Sequence, residues 1–316
     1  MKSLWRWTSR LLAVALALYV LWFATANLDI REIGQALSNQ EVVIGVLVAT
    51  VCYCMIYPLT GFAWKQLLAR QNQSYSAVLL MRIIGLTQLA KYVPGNVLQH
   101  ASRAALAIRA GITTKGYVAS AGQEALLTVA ASLCVGSAAL AISPSGMQAL
   151  DSHGHTRTLY ALTCAAFIGA ALLCLDLPAA SLERSNRWIL RMLGRMGGLP
   201  GPIAALTALS AYAANFLAVG TGIWLLSRSL GADVDLAMAT AAFALSWTLG
   251  FLAPGAPAGL GAREGVMLLI LENQHNQEKI LLLVLLTRAA SVLGDLLVFM
   301  LSLATHRSMR EENRIQ

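Results

Sequence analysis

The chain has 316 residues, 57% of them hydrophobic and 12% charged, with a formal net charge of +8. Soluble domains carry roughly 25% charged residues, so a water-soluble fold could not cover its surface with this complement, and a large soluble domain beside the membrane part is excluded. The basic excess sits between apolar runs, which makes it a membrane-topology signal and not a nucleic-acid surface.

In chain order, Met1 to Arg10 is basic and Leu11 to Ala24 is apolar. Ala24-Thr25-Ala26 resembles a signal-peptidase site, but Tyr19, Trp22 and Phe23 suit a retained helix with interfacial aromatics. The reading is a first transmembrane helix within 1–27, spanning about 10–27. Further full spans follow at about 42–64, 117–142, 157–177, 203–227 and 281–305, each long enough for a bilayer, which takes roughly 20 residues. Two other apolar segments are interrupted. One runs from Ala77 to Arg109 and breaks at Pro94-Gly95; the other runs from Leu236 to Leu271 and breaks between Pro254 and Gly261. Their halves are mostly too short to span, and proline removes a backbone donor and clashes with the preceding turn. Each is expected to be a re-entrant helical hairpin, with a pair of kinked or short spans as the alternative. The five cysteines all lie inside apolar runs, where neither a disulfide framework nor a metal site fits.

With a cytoplasmic N-terminus and two re-entrant hairpins, 14 of the 23 basic residues fall in cytoplasmic segments and 4 outside. That bias matches the positive-inside rule. It places residues 109–116 and 178–202 in the cytoplasm with both termini, and 272–280 outside. The two hairpins then enter from opposite sides. Arg103 and Arg263 each follow a Pro-Gly break by nine residues from the proline. The expectation is an all-α polytopic membrane protein with about six full transmembrane spans plus two re-entrant helical hairpins in an inverted-topology repeat. It forms one integral membrane domain over 1–316, with repeat unit one at about 42–142 and repeat unit two at about 203–305. Such repeats commonly hold a site at the midplane.

Charge inside a bilayer is costly, so each ionisable residue there is a functional candidate. The candidate substrate-binding set is Lys91 and Asn96 at the first break, Arg103 on the returning arm, Glu124 in the next span, Arg263 and Glu264 on the second returning arm, and Arg288 with Asp295 on the last span. Arg82, near a hairpin entrance, is read as structural. Two readings remain open. The charges pair with one another, Glu124 with Arg103 and Asp295 with an arginine, and lock hairpins to spans; or the cations face a shared cavity and hold an anion, helped by helix N-termini at the breaks. His153 and His155 read as a solvated loop. The run Arg184, Arg187, Arg191 and Arg195 has the spacing of an interfacial helix. There is no Walker loop, metal-ligand helix or nucleophile elbow, and no cofactor or enzymatic activity is expected.

The stretch from Lys91 to Ile112, with Phe251 to Leu271, resembles the lysylphosphatidylglycerol synthase transmembrane family, in which Gly259-Leu260-Gly261-Ala262-Arg263-Glu264 is the most specific part. Pro94, Gly95, Arg103, Glu124 and Arg288 also fall where that family places similar residues. Leu98-Gln99-His100 stands where many members have a Gly-Glu pair, and Ala125 follows Glu124 where many have arginine. The resemblance covers the second span to the last. It implies lipid translocation between leaflets, in a stand-alone member without the soluble aminoacyltransferase domain. The leading expectation is therefore a flippase in a bacterial inner membrane, moving an anionic or phosphate-containing lipid without ATP. The cargo would be a phospholipid, an aminoacyl-phospholipid or a polyprenyl-phosphate-linked sugar. The alternatives are a secondary carrier of a small soluble anion and a membrane-embedded lipid-modifying transferase. The partner expected is a membrane lipid; further copies of the chain or envelope-biosynthesis proteins fit the class, and nucleic acid does not.

Overall fold

The computed structural model describes residues 34, 38–92, 97–152, 154–184, 186–195, 197–253, 257–271 and 277–315, and these residues form helices and short connections, with no strand among them. The first span of the sequence reading, 10–27, and Asn96 lie outside the described residues. Helices α1 (Gln40–Cys54) and α2 (Ile56–Arg70) run on as one kinked rod. Pro58 explains the kink: it cannot donate to Cys54, and its ring crowds that carbonyl. Then come α3 (Ala77–Thr87), a 3-10 turn (Gln88–Tyr92), α4 (Val97–Arg109), α5 (Thr114–Ile142), α6 (Pro144–Ser152), α7 (Thr156–Leu173), α8 (Ala179–Glu183) and α9 (Trp188–Arg195). The second half holds α10 (Pro202–Ser229), α11 (Leu236–Leu252), a 3-10 turn (Pro257–Gly259), α12 (Ala262–Leu271) and α13 (Gln277–Ile315).

Five helical stretches among the described residues are long and apolar enough to cross a membrane: Gln40–Arg70, Thr114–Ile142, Thr156–Leu173, Pro202–Ser229 and Gln277–Thr305. They coincide with five of the six full spans read from sequence. The chain is a multi-pass α-helical membrane protein.

Local chemistry sets the helix starts. Asn39 accepts from the Glu41 amide, Ser76 from Leu79, Thr113 from Gly116 and Asp235 from Met238, so each side chain satisfies an otherwise orphaned donor. These caps also mark the two ends of the bundle. At one end, Gln73 accepts from the Thr113 amide at 2.9 Å and donates to its hydroxyl, tying the residues just before α3 to the residue just after α4. Arg70 pairs with Asp176 at the same end, beside Gly201 and the start of α10. At the other end, Ser143 donates to Asp235 at 2.7 Å and Lys279 donates to the Gly231 carbonyl at 3.1 Å. The segment α11–α12 begins and ends there. So each broken segment starts and finishes at one end of the bundle, and the two use opposite ends.

Packing between the halves is reciprocal. Helix α3 lies on α13, where Gly85 faces the Ser302 side chain, and α11 lies on α5, where Gly136 faces Leu245. The central pair is α1 with α10, drawn close because Gly222 sits against the Ala49 backbone; a Cβ there would come 3.0 Å from Ala49 Cα. Without water to drive association, such close backbone approach lets van der Waals contact hold helices together. The two 3-10 turns touch each other. Of the run Arg184, Arg187, Arg191 and Arg195, read as having the spacing of an interfacial helix, Arg191 and Arg195 lie on α9, where Trp188 and Arg191 are exposed, while Arg184 and Arg187 precede it in a turn and a bend.

Candidate functional site

A cavity of about 410 Å³ opens beside the two 3-10 turns. Its walls come from the middle of the long helices: Tyr53, Tyr57 and Thr60 on α1–α2, Glu124 and Thr128 on α5, and Asn215 and Phe216 on α10. Helix α4 adds Gln99, His100 and Arg103, α11 adds Phe243, Trp247 and Phe251, and the turns add Lys91 and Gly259. Tyr53 lies 13 residues into a 31-residue helical stretch, roughly 20 Å from its start at 1.5 Å per residue. The chamber is therefore near mid-depth. A second recess of about 30 Å³ adjoins it, lined by Arg263, Glu264, Arg288, Tyr53 and Phe243 among others.

Three ion pairs surround the chamber. Arg103 grips Glu124 with both ends of its guanidinium, at 2.8 and 2.7 Å, and lies 4.0 Å over the Trp64 ring. Trp64 is fully buried and donates its indole N–H to Ser120. This fork-to-fork geometry with a ring beneath is specific to arginine. Lys91 meets Asp295 at 2.7 Å. The Asp295 carboxylate is 0% exposed and also accepts from Tyr53 at 3.2 Å, Gln88 at 3.3 Å, Tyr57 and Tyr92. A buried carboxylate persists only when charge and hydrogen bonds replace lost water, and here one cation and four neutral donors do so. The third pair is looser: Arg288 Nε is 3.5 Å from Glu264 Oε1, while Glu264 Oε2 accepts from the Gly261 amide at 2.7 Å. Arg288 also reaches the Ala258 carbonyl at 3.5 Å.

Arg263 differs from the other three cations. Its stem is clasped by two glycines: a Cβ on Gly250 would come 2.2 Å from Arg263 Cγ, and one on Gly259 would come 2.7 Å from Cδ. Its guanidinium lies 5.2 Å over Phe243 and fronts both cavity and recess. No carboxylate pairs with it among the described residues.

Of the residues singled out in the sequence, Lys91, Arg103, Glu124 and Arg263 line the main cavity, and Glu264 and Arg288 line the recess. Asp295 lines neither; it sits behind the wall, beneath Tyr53 and Tyr57. The pairing of Glu124 with Arg103 is as the sequence reading set out. The pairing of Asp295 with an arginine needs correction: its partner is Lys91. Seven residues separate Arg288 from Asp295, about 10 Å along the helix, so Asp295 is level with the first turn and Arg288 with the second. Pairing and facing a cavity, set out as alternatives, coexist: Lys91 and Arg103 do both.

Sequence reasoning missed Tyr53, Tyr57, Tyr92, Gln88, Trp64 and Asn215, because it searched the spans for formal charge. A signal existed for two of them: Tyr53 and Tyr57 are four residues apart in an apolar span, hence on one face.

A family model described as the lysylphosphatidylglycerol synthase TM region matches residues 10–298. The chain belongs to this family. The match runs through every cavity-lining residue and through Asp295, so the chamber and its ion pairs lie wholly within the lysylphosphatidylglycerol synthase transmembrane region. No individual curated protein matches the chain. The family association marks a lipid-related membrane function. The family segment from Gly259 to Glu264 is the one that positions Arg263: Gly259 leaves room for its stem, and Glu264 joins the turn to α13 through Arg288.

Proposed function

We propose that this protein is a lipid flippase that moves a phosphate-bearing lipid between leaflets without ATP. The observation that carries the proposal is the mid-depth chamber with Arg263 on its wall, free of any carboxylate partner among the described residues. An arginine in hydrocarbon is costly unless an anion meets it, and a lipid phosphate supplies two oxygens for its planar fork. The chamber rim carries exposed apolar residues, Leu98 on α4 and Phe251 with Leu252 on α11. A lipid could leave its acyl chains there while its head occupies the chamber.

In this reading α3–α4 and α11–α12 are re-entrant hairpins entering from opposite faces of a bacterial inner membrane, with both termini cytoplasmic. Support comes from the ends of each segment meeting at one end of the bundle, and from the reciprocal packing of α3 on α13 and α11 on α5. Alternating access is movement of one repeat against the other. The protein has no catalytic role in this reading: Glu124, Glu264 and Asp295 around the chamber are held in ion pairs, and the chemistry is binding and release.

Reconstitution in liposomes containing a headgroup-labelled phospholipid tests the proposal. Without ATP, label in the inner leaflet should become accessible to a membrane-impermeant quencher, and the Arg263→Ala protein, folded and inserted to the same extent, should fall to the protein-free rate. Saturable uptake of a water-soluble anion with no lipid movement in the same vesicles would replace the flippase by a soluble-anion carrier.

A further inference from the structure

Charge bookkeeping around the chamber restricts the headgroup. Four cations (Lys91, Arg103, Arg263 and Arg288) and three carboxylates (Glu124, Glu264 and Asp295) surround the cavity and its recess. Each of the three carboxylates is paired with a cation, Glu264 the most loosely, since the Arg288 Nε facing its Oε1 makes no hydrogen bond. Glu124 gives one to each end of the Arg103 fork. Asp295 takes Tyr53, Tyr57 and Gln88 on one oxygen and Tyr92 with Lys91 on the other. Glu264 contacts Arg288 with one oxygen and accepts the Gly261 amide with the other. No side chain in the undescribed breaks, residues 93–96 and 254–256, is ionisable. An ammonium group entering the chamber would therefore meet Arg263 with no carboxylate free to receive it, or would have to displace a cation already held. Breaking a buried ion pair is strongly unfavourable, because it leaves an uncompensated charge. A single phosphodiester instead adds the one negative charge that Arg263 lacks. Asn215 also lines the cavity; its side-chain nitrogen donates to Thr60 at 3.4 Å and its buried oxygen has no hydrogen-bond partner. A hydroxyl can both donate to and accept from that amide.

We infer that the chamber selects a lipid phosphodiester of net charge −1 with an uncharged, hydroxyl-bearing head, and rejects lipids whose head carries an ammonium group. The inference rests on the proposed reading of the cavity as a lipid-head site and narrows its cargo. It excludes the aminoacylated lipid for which the family is named, on the ground that this chain's own carboxylates are already occupied.

Binding and movement are measured separately. In detergent, the full chain is titrated with dihexanoyl-phosphatidylglycerol, its lysyl ester and dihexanoyl-phosphatidylethanolamine, read by tryptophan fluorescence because Trp247 lines the cavity. Phosphatidylglycerol should bind at least about tenfold more tightly than either ammonium-bearing lipid, a difference of about 1.4 kcal/mol. Arg263→Gln should bring the three within about twofold, and Arg263→Lys, which keeps the charge if the glutamine variant fails to fold, should retain the order. Equal or tighter binding of the lysyl ester by the unaltered protein overturns the inference, as does binding of none of the three. Lipid movement in vesicles decides the other question: selective phosphatidylglycerol binding without any lipid movement sinks the flippase reading and leaves the site. Movement of the lysyl ester as fast as phosphatidylglycerol sinks the selectivity and leaves the flippase.

Discussion

Replacing Lys91 by methionine keeps the side-chain length and removes the cation that pairs with Asp295 among the described residues. The carboxylate would remain 0% exposed, held by Tyr53, Tyr57, Tyr92 and Gln88 without a countercharge. Orphaning one member of a buried pair costs about 3–5 kcal/mol; the four remaining donors argue for the low end, about 3 kcal/mol. Lys91 also lies 5.7 Å from the Tyr53 ring and 5.4 Å from the Tyr92 ring, contacts that add roughly 0.5–1 kcal/mol where partly exposed. At about 2–4 °C per kcal/mol, the scale of a 150–250-residue domain, the melting temperature should drop by about 6 °C or more. Thermal unfolding in detergent, followed by tryptophan emission, reads this directly. Asp295→Asn should cost less, because an amide keeps the tyrosine partners. The double variant Lys91→Met with Asp295→Asn should be more stable than Lys91→Met alone, with a coupling of about 1 kcal/mol or more. If the two changes add independently, or if Lys91→Met melts within 1 °C of the parent, the buried pair is not what joins the first break to α13, and the reasoning fails.

Arg103→Lys keeps the charge but loses the two-pronged grip on Glu124 and the contact with Trp64, so it should lower stability by about 1–2 kcal/mol, while Glu124→Gln should cost more because it strands a buried guanidinium; equal melting curves for all three proteins would refute the pairing. Gly250→Leu should stop lipid movement in vesicles, because the new side chain would occupy the space of the Arg263 stem; unchanged transport would show that Arg263 need not sit there. In a cysteine-free background, Lys279→Cys should react with an impermeant maleimide added to the periplasmic face and Lys115→Cys should not; labelling of both, or the reverse pattern, would overturn the opposite entry of the two hairpins.

Much of the architecture was legible in the amino acids alone, for a specific reason: a bilayer admits only segments that satisfy their own backbone, so length and apolarity suffice to mark helices. That is why Gln40–Arg70, Thr114–Ile142, Thr156–Leu173, Pro202–Ser229 and Gln277–Thr305 were visible as runs, and why Pro94-Gly95 and Pro254-Gly255 marked the breaks. The cost of burying charge likewise singled out Arg103, Glu124, Arg263 and Asp295 one by one. What the sequence could not decide was who meets whom. Lys91 and Asp295 are 204 positions apart, and Tyr53 and Tyr57 still farther from that aspartate; only the packing of α1, and of α3 with its turn, against α13 brings them within hydrogen-bond distance. The same packing pairs three carboxylates and leaves Arg263, between Gly250 and Gly259, without a carboxylate partner among the described residues. Composition counts charges, but pairing depends on distances of a few ångströms between helices, and those are set by side-chain packing across the whole bundle.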